Sequence, residues 1–175
     1  MDWQDALFDL IDMRSFSNLW FWIAVAVLWS TASHWVLGIP YDMVVRAKRM
    51  GGQASQDLHD IVRINVTRIL LISRVAGLWL AAISCFVIAA LAILGFMYRV
   101  EFAQAVFLLM FPMTLVGALS LSTAQLIADE DPQDVDLFRR LARHRTYVQG
   151  IGMISIFFTA LWGMYQNLSV GPWGG

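Results

Sequence analysis

The pattern of hydrophobic and polar positions divides the chain into four long apolar stretches separated by polar segments. The stretches are residues 19–38, 69–97, 102–127 and 148–168. Each is long enough for a membrane-spanning helix, which needs about 20 mostly apolar residues. Only residues 98–101 separate the second stretch from the third, and merging the two would place Arg99 and Glu101 in hydrocarbon at high cost. The pattern predicts a single all-α transmembrane domain over residues 1–175, an integral membrane four-helix bundle.

The distribution of positive charge orients the predicted helices. Charged residues make up 14% of the chain, whereas soluble proteins average about 25%. Ten of the twelve Lys and Arg residues lie in residues 39–68, in residues 128–147 or at Arg74, just inside the second span. Loops rich in Lys and Arg stay in the cytoplasm. We therefore expect a multi-pass protein of the bacterial inner (cytoplasmic) membrane, with both these segments cytoplasmic and the N-terminus and C-terminus periplasmic.

The first seventeen residues have the pattern of an amphipathic helix. Four carboxylates recur at helical spacing and form one stripe, with Trp3, Leu7, Leu10 and Ile11 on the opposite side; they are Asp2, Asp5, Asp9 and Asp12. We expect residues 1–17 to lie as a helix at the outer membrane surface. Its acidic face is either solvated or a docking surface for a basic partner.

The two cytoplasmic segments carry helices that project from the membrane. A long helix is expected from near Ser55 to Tyr98, with a seam at alternating spacings of four and three: Leu58, Val62, Asn65, Ile69, Ile72, Ala76 and Trp79. The seam serves packing within the chain, self-association or a partner protein. In the second segment, Asp131 is the expected N-cap and Asp136 is placed to pair with Arg140. An apolar side made of Val135, Phe138 and Leu141 is expected against the seam.

Cationic and small residues suggest how the protein contacts lipid and other helices. Seven cations near the cytoplasmic boundary are expected at lipid headgroups: Arg46, Lys48, Arg49, Arg139, Arg140, Arg143 and Arg145. This basic surface is too small for nucleic-acid binding. Small residues recur every four positions in three spans and favour close helix packing: Gly77, Ala81, Cys85 and Ala89; Thr114, Ala118 and Ser122; Ser155, Thr159 and Gly163.

The residue types that carry catalysis or bind cofactors are sparse and scattered. The three histidines, His34, His59 and His144, all fall at or outside the cytoplasmic boundary, so no pair faces a haem at mid-membrane. There is no HExxH motif, and no carboxylate lies inside a span. Gln104 lies one turn inside the outer surface and suggests no active site. We expect neither an enzyme, nor a cofactor, nor a metal.

The stretch WSTASHWVLGIP places polar residues between two tryptophans at the end of the first span. With the N-terminus periplasmic, His34 lies about 6 Å from the cytoplasmic end of that span. Trp29 and Trp35 are then expected in the aromatic belt of the membrane interface. The stretch is interpreted as an interfacial anchor, and the alternative is a contact of Trp29, His34 and Trp35 with a lipid, a quinone or another subunit.

Several segments resemble a family of small integral membrane proteins of Rhodobacter-type alphaproteobacteria. They are IDMRSFSNLW, LWSTASHWVLGIPYDMV, LHDIVRINVTRIL and VEFAQAVFLL, within a similarity that covers most of the chain. Proteins of this family often carry the label "component of SufBCD complex", which implies iron–sulfur assembly. Scaffold chemistry of that kind requires cysteines, whereas this chain has only Cys85, inside a span. The resemblance implies a bacterial inner-membrane location and transfers no functional residues.

Two hypotheses about function follow. The first is a non-catalytic accessory or assembly subunit of a larger inner-membrane complex, such as a respiratory or photosynthetic one, that acts through helix–helix and lipid contacts. The second is a homo-oligomeric ion channel or small transporter. Its pore would be lined by hydroxyl side chains: Ser30, Thr31, Ser33, Thr114, Ser120, Ser122 and Thr123.

Overall fold

The structure is a computed structural model that describes Phe16 and residues 19–169. Within these residues the chain is almost entirely helical, with one short β-hairpin. Its elements are α1 (Leu19–His34), β1 (Trp35–Val36), β2 (Ile39–Pro40), α2 (Tyr41–Met50), α3 (Gly52–Ala92) with a π-helical continuation (Ile93–Met97), α4 (Glu101–Glu130) and α5 (Asp134–Ser169). The predicted interfacial helix over residues 1–17 lies outside the described residues, apart from Phe16.

Three helices are long and apolar enough to cross a membrane. They are Gly52–Met97, Glu101–Glu130 and Asp134–Leu168. Helix α1 is apolar but has only 16 residues, which corresponds to about 24 Å against a hydrocarbon thickness of about 30 Å. The chain is therefore a helical membrane protein with three helices of spanning length and a shorter fourth apolar helix.

Helix α1 ends earlier than the apolar pattern predicted. The first stretch was expected to be helical to Gly38, but the helix ends at His34 and residues 35–40 form a β-hairpin in which Val36 pairs with Ile39. Leu37 and Gly38 have φ angles of 52° and 76°, the positive values of a type I′ turn. Pro40 disfavours a helical conformation at Ile39, and Gly38 adopts the turn without strain. Hydrophobicity alone did not separate this buried hairpin from a helix.

The buried residues form two separate cores. The first, here called the head core, joins the hairpin, α2 and the ends of α3, α4 and α5 that lie beside them. Its most buried members include Ile39, Leu58 and Leu141. The second, called the span core, joins Phe16, α1, α4 and α5 around Phe21, Val25 and Trp29. The long helices thus form a packed head at one end and a looser bundle along the rest of their length.

The predicted seam on α3 packs within the chain only over its first half. Leu58 and Val62 are buried in the head core, and Ile69 packs against it. Further along, Ile72 is 46% exposed and Trp79 is 73% exposed. Intramolecular packing is therefore confirmed where α3 passes through the head. Beyond it the same spacing continues on a face that the described part of the chain does not cover.

The connection between α4 and α5 differs from its prediction. Asp131 is the left-handed C-cap of α4, with φ of 40°, rather than the N-cap of α5. Asp136 was predicted to pair with Arg140. Instead, its Oδ1 lies 3.3 Å from Arg139 Nη1, and Arg140 pairs with Glu130. Val135 is exposed, and Leu137 is buried in the head core with Leu141. Of the predicted apolar side, Leu141 is buried and Phe138 packs against the head core, whereas Val135 is exposed; the fully buried positions follow the spacing Leu137, Leu141, His144 and Val148.

The small-residue stripes have different surroundings in the three long helices. On α5, Ser155, Thr159 and Gly163 are buried, and a Cβ at Gly163 would lie 3.3 Å from Phe16 Cδ1. On α3, by contrast, Ala81, Cys85 and Ala89 are exposed, and on α4 so are Ala118 and Ser122. Close packing by small residues is confirmed for α5. The stripe on α3 faces outward.

Candidate interaction surfaces

The three residues of the predicted interfacial contact do not form one site. Trp29 is only 4% exposed and packs in the span core, where a Cβ at Gly152 would lie 2.8 Å from its Cε3. His34 and Trp35 are exposed, and their rings meet edge to face with centroids 5.9 Å apart. Trp29 is thus a packing residue of the bundle. His34 and Trp35 remain together at the surface, where an interfacial anchor would lie.

Arg145 joins three elements at the base of the head. Its Nε donates to the carbonyl oxygen of Ser33 at 3.3 Å, in the last turn of α1. Its guanidinium also lies 4.0 Å from the centre of the Tyr41 ring at the start of α2. A cation at a helix C-terminus interacts favourably with the helix dipole, and its position over a ring adds a cation–π contribution. Arg145, predicted as a headgroup contact, has these intramolecular partners as well.

The other six predicted headgroup cations divide into two groups. Arg139 and Arg140 form ion pairs with Asp136 and Glu130. The remaining four are exposed and have no carboxylate within 4.0 Å in the described part of the chain; they are Arg46, Lys48, Arg49 and Arg143. Three of these four lie on α2. That helix therefore carries an uncompensated positive face at the head of the molecule.

A groove lies between α2 and α5 next to this positive face. It has a volume of about 850 Å³ and an apolar floor with a basic rim. The floor contains Tyr41, Val44, Val45, Val135, Phe138 and Ala142, and the rim contains Lys48, Arg49 and Arg139. On α5 the groove extends from about 9 Å to about 20 Å before Val148, where the predicted span begins. No sequence motif predicted this groove, because the groove depends on how α2 packs against α3 and α5.

At the opposite end of the molecule, Gln104 is the centre of a buried hydrogen-bond network. Its Nε2 donates to the carbonyl oxygen of Gly95 at 2.7 Å, in the π-helical turn. Its Oε1 accepts hydrogen bonds from Trp162 Nε1 at 2.9 Å and from Gln166 Nε2. Gly95 permits this close approach of α4, since a Cβ would lie 3.0 Å from both Gln104 Cγ and the Gln104 backbone nitrogen. The Gln104 side chain thus connects α3, α4 and α5 by hydrogen bonds, a role that its isolated position in the sequence did not indicate.

The chain enters the bundle at this same end. The backbone N–H of Phe16 donates to Glu101 Oε1 at 2.8 Å, and Trp22 Nε1 donates to the Phe16 carbonyl at 3.1 Å. Asp2, Asp5, Asp9 and Asp12 precede this point and lie outside the described residues. Their predicted docking role stays a prediction. Phe16 places the start of the described chain beside the α3–α4 connection and far from the head.

His144 is buried between helices, which its sequence position did not indicate. It is 2% exposed, and its Nε2 lies 3.1 Å from Ser120 Oγ. Because the Ser120 hydroxyl donates to the Val116 carbonyl at 2.8 Å, it accepts from His144, which assigns the proton to Nε2. Nδ1 then has no hydrogen-bond partner in the described part of the chain, and the same holds for Trp29 Nε1. The contact fixes α4 against α5.

The proline inside α4 has a compensating partner on α5. Pro112 has no N–H to donate to the Leu108 carbonyl four residues earlier. Ser155 Oγ donates to that carbonyl at 3.5 Å from the neighbouring helix. Such help from a Ser side chain is how membrane helices accommodate proline. An apolar groove of about 440 Å³ lies along the same contact, lined by Phe107, Phe111, Ile154 and Phe158 among others.

The hydroxyl residues of the hypothetical pore bond mainly to their own helices. Thr114 Oγ1 donates to the Phe111 carbonyl at 2.7 Å, and Thr123 Oγ1 donates to the Leu119 carbonyl at 2.8 Å. Ser120 bonds to Val116 and His144 as described above. Ser30, Thr31 and Ser122 are exposed and Ser33 is half-buried. Within one copy of the chain these residues form separate contacts.

A polar cluster links the beginnings of α3 and α5 in the head. Ser55 Oγ donates to Asp134 Oδ1 at 2.7 Å, and His59 Nε2 lies 3.1 Å from the same oxygen. These hydrogen bonds, Ser55 first, lower the pKa of the Asp134 carboxyl from its usual value. The charged carboxylate also suits the first turn of α5, where the helix dipole is positive.

No family model, no curated protein and no solved structure matches this chain. The class defined by the fold is that of a helical membrane protein with three helices of spanning length.

Proposed function

We propose that this protein is a non-catalytic accessory or assembly subunit of a larger inner-membrane complex, acting through helix–helix and lipid contacts. The observation that supports the proposal most is the exposure of α3. In its most apolar stretch of 18 residues, only 6% of the residues are buried within the chain. That face nevertheless carries the small residues Ala81, Cys85 and Ala89, which allow another helix to approach closely. The occupant proposed for it is a transmembrane helix of a partner subunit.

The proposal includes a topology of four spans with both termini periplasmic. Helix α1 and its hairpin together cover residues 19–40, so the hairpin extends the short helix toward the cytoplasmic surface. The excess of positive charge at the head supports a cytoplasmic head. The exposed cations Arg46 and Arg143 and the pair His34 and Trp35 are then placed to contact lipid headgroups.

Affinity purification of the chain from its native membranes in a mild detergent tests the proposal. We expect a protein of different sequence to co-purify at fixed stoichiometry. Ala81→Leu, which enlarges the stripe on α3, should reduce the amount of this partner. Ala82→Leu is the matched control, because Ala82 is also exposed but lies outside the stripe. Elution of the chain alone would refute the proposal, and flux through homo-oligomers in liposomes would favour a channel.

A further inference from the structure

We propose that the groove between α2 and α5 binds an acidic amphipathic helix of the partner protein, on the aqueous side of the membrane. This inference rests on the proposed function and names the chemistry of the partner at the head. It differs from the membrane contact through α3, because the two surfaces lie at different heights of the molecule. Three features of the groove support it: exposed apolar residues, uncompensated positive charge and position.

The floor of the groove is apolar and remains uncovered. Val135 is 66% exposed, and Val45 and Phe138 are only partly buried. Phe138 also packs against the head core, whereas Val45 and Val135 do not belong to it; Val44 and Ala47 seal α2 against that core, as Leu137 and Leu141 do for α5. An apolar groove with a charged rim has the form that receives one face of an amphipathic helix. A helix laid into such a groove buries its own apolar stripe at the same time.

The charges around the groove select an acidic partner. Lys48 and Arg49 have no carboxylate within 4.0 Å in residues 19–169, and only Arg139 is paired, with Asp136. The one carboxylate on α2 is Asp42, against three cations on that helix. Asp134 at the start of α5 is already engaged by Ser55 and His59. The rim is therefore positive, and acidic residues beside an apolar stripe complement it.

The position of the groove argues against the two other occupants that share this chemistry. On α5 its lining begins about 9 Å outside the proposed span, beyond a headgroup layer of about 5–8 Å, so a phospholipid would reach only the end of the groove at Tyr41, which Arg145 contacts. The chain's own N-terminal segment is acidic and amphipathic. However, it joins the bundle at Phe16, which is anchored to Glu101 at the opposite end. A segment of a partner protein is the occupant that fits both the positive charge of the rim and the position of the groove outside the membrane.

Site-specific photocrosslinking in native membranes tests this inference. A benzophenone amino acid replaces Val45 or Val135 in the full chain, and Ile64, which is 61% exposed on α3, serves as the control position. We expect one dominant protein adduct from both groove positions and not from Ile64. Mass spectrometry should map the crosslink to an acidic, amphipathic helical segment. The combined variant Lys48→Glu and Arg49→Glu should reduce the adduct about tenfold or more, because rim charges govern the encounter.

The outcomes separate this inference from the proposed function. Crosslinks to phospholipid, to a second copy of the chain or to a segment without acidic residues would overturn the inference, as would an adduct insensitive to the charge reversal. If a partner co-purifies while the groove gives no such adduct, the proposed function stands and the inference is wrong. Lys48 and Arg49 are exposed, so the charge-reversed chain should keep a single sharp elution profile, which verifies that it has folded.

Discussion

The contact between Gly152 and Trp29 gives the sharpest test of how α1 packs in the bundle. In a Gly152→Ala variant the new Cβ would lie 2.8 Å from Trp29 Cε3, which is closer than Cβ atoms approach other atoms in folded proteins. Trp29 is 4% exposed and cannot move outward without disturbing Val25 and Phe21 in the span core. Overpacking of this kind costs about 1–3 kcal/mol, whereas the helix preference of Ala over Gly returns about 0.5–1 kcal/mol. Because a contact of 2.8 Å with a buried ring forces a shift, the overpacking cost should lie in the upper part of its range, and we expect a net loss of about 1–2 kcal/mol.

Gly150 provides the matched control for this substitution. It lies on the same helix, and a Cβ there would have no neighbour within 4 Å. Gly150→Ala should therefore stabilise the protein by about 0.5–1 kcal/mol. Thermal unfolding in detergent, followed by tryptophan fluorescence, should show opposite shifts, with a Tm lower by about 2–8 °C for Gly152→Ala. If both variants are stabilised, Trp29 does not pack against Gly152 and the described position of α1 is wrong.

Two further predictions concern polar side chains at opposite ends of the molecule. Gln104→Leu should destabilise by about 1–3 kcal/mol in the same assay, because the buried Gly95 carbonyl loses its donor and the half-buried Trp162 N–H loses its acceptor; an unchanged Tm would contradict the network. The pKa of Asp134 is lowered by its hydrogen bonds with Ser55 and His59, so the folded protein holds the charged form more strongly than the unfolded chain. The stabilisation should be complete above the unfolded pKa of about 3.9 and be lost as the pH falls through the lower folded pKa. In Asp134→Asn this pH-dependent part of the stability should be missing from acid unfolding. If the variant and the unmodified chain unfold identically in acid, the cluster of Ser55, His59 and Asp134 does not form.

The hydrophobic pattern predicted the long helices because their apolar runs exceed what any strand or loop requires. The α3 helix from Gly52 to Met97 and its hairpin with α4 follow from such runs. The β-hairpin at residues 35–40 was missed because its residues are as apolar as the helix before it. Gly38 and Pro40 were the available signal for a turn, whereas the predicted span continued to Gly38.

The candidate surfaces were less predictable because they depend on which faces of different helices meet. The cations of α2 were identified from the sequence, but the groove beside them exists only because α5 turns Val135 outward and Leu137 inward. His144 was placed at the boundary, whereas Ser120 on another helix makes it a buried contact. Pairings between distant segments of this kind leave no local pattern in a single sequence.

Native mass spectrometry of the full chain, extracted from its own membranes in mild detergent, tests the central proposal most directly. We expect the 19.8 kDa chain in a complex with a different protein at one fixed stoichiometry. That complex should lose this partner when Ala81→Leu fills the exposed stripe on α3, and Ala82→Leu should leave it intact. A spectrum that contains only the free chain, or only multiples of its own mass, would contradict the account.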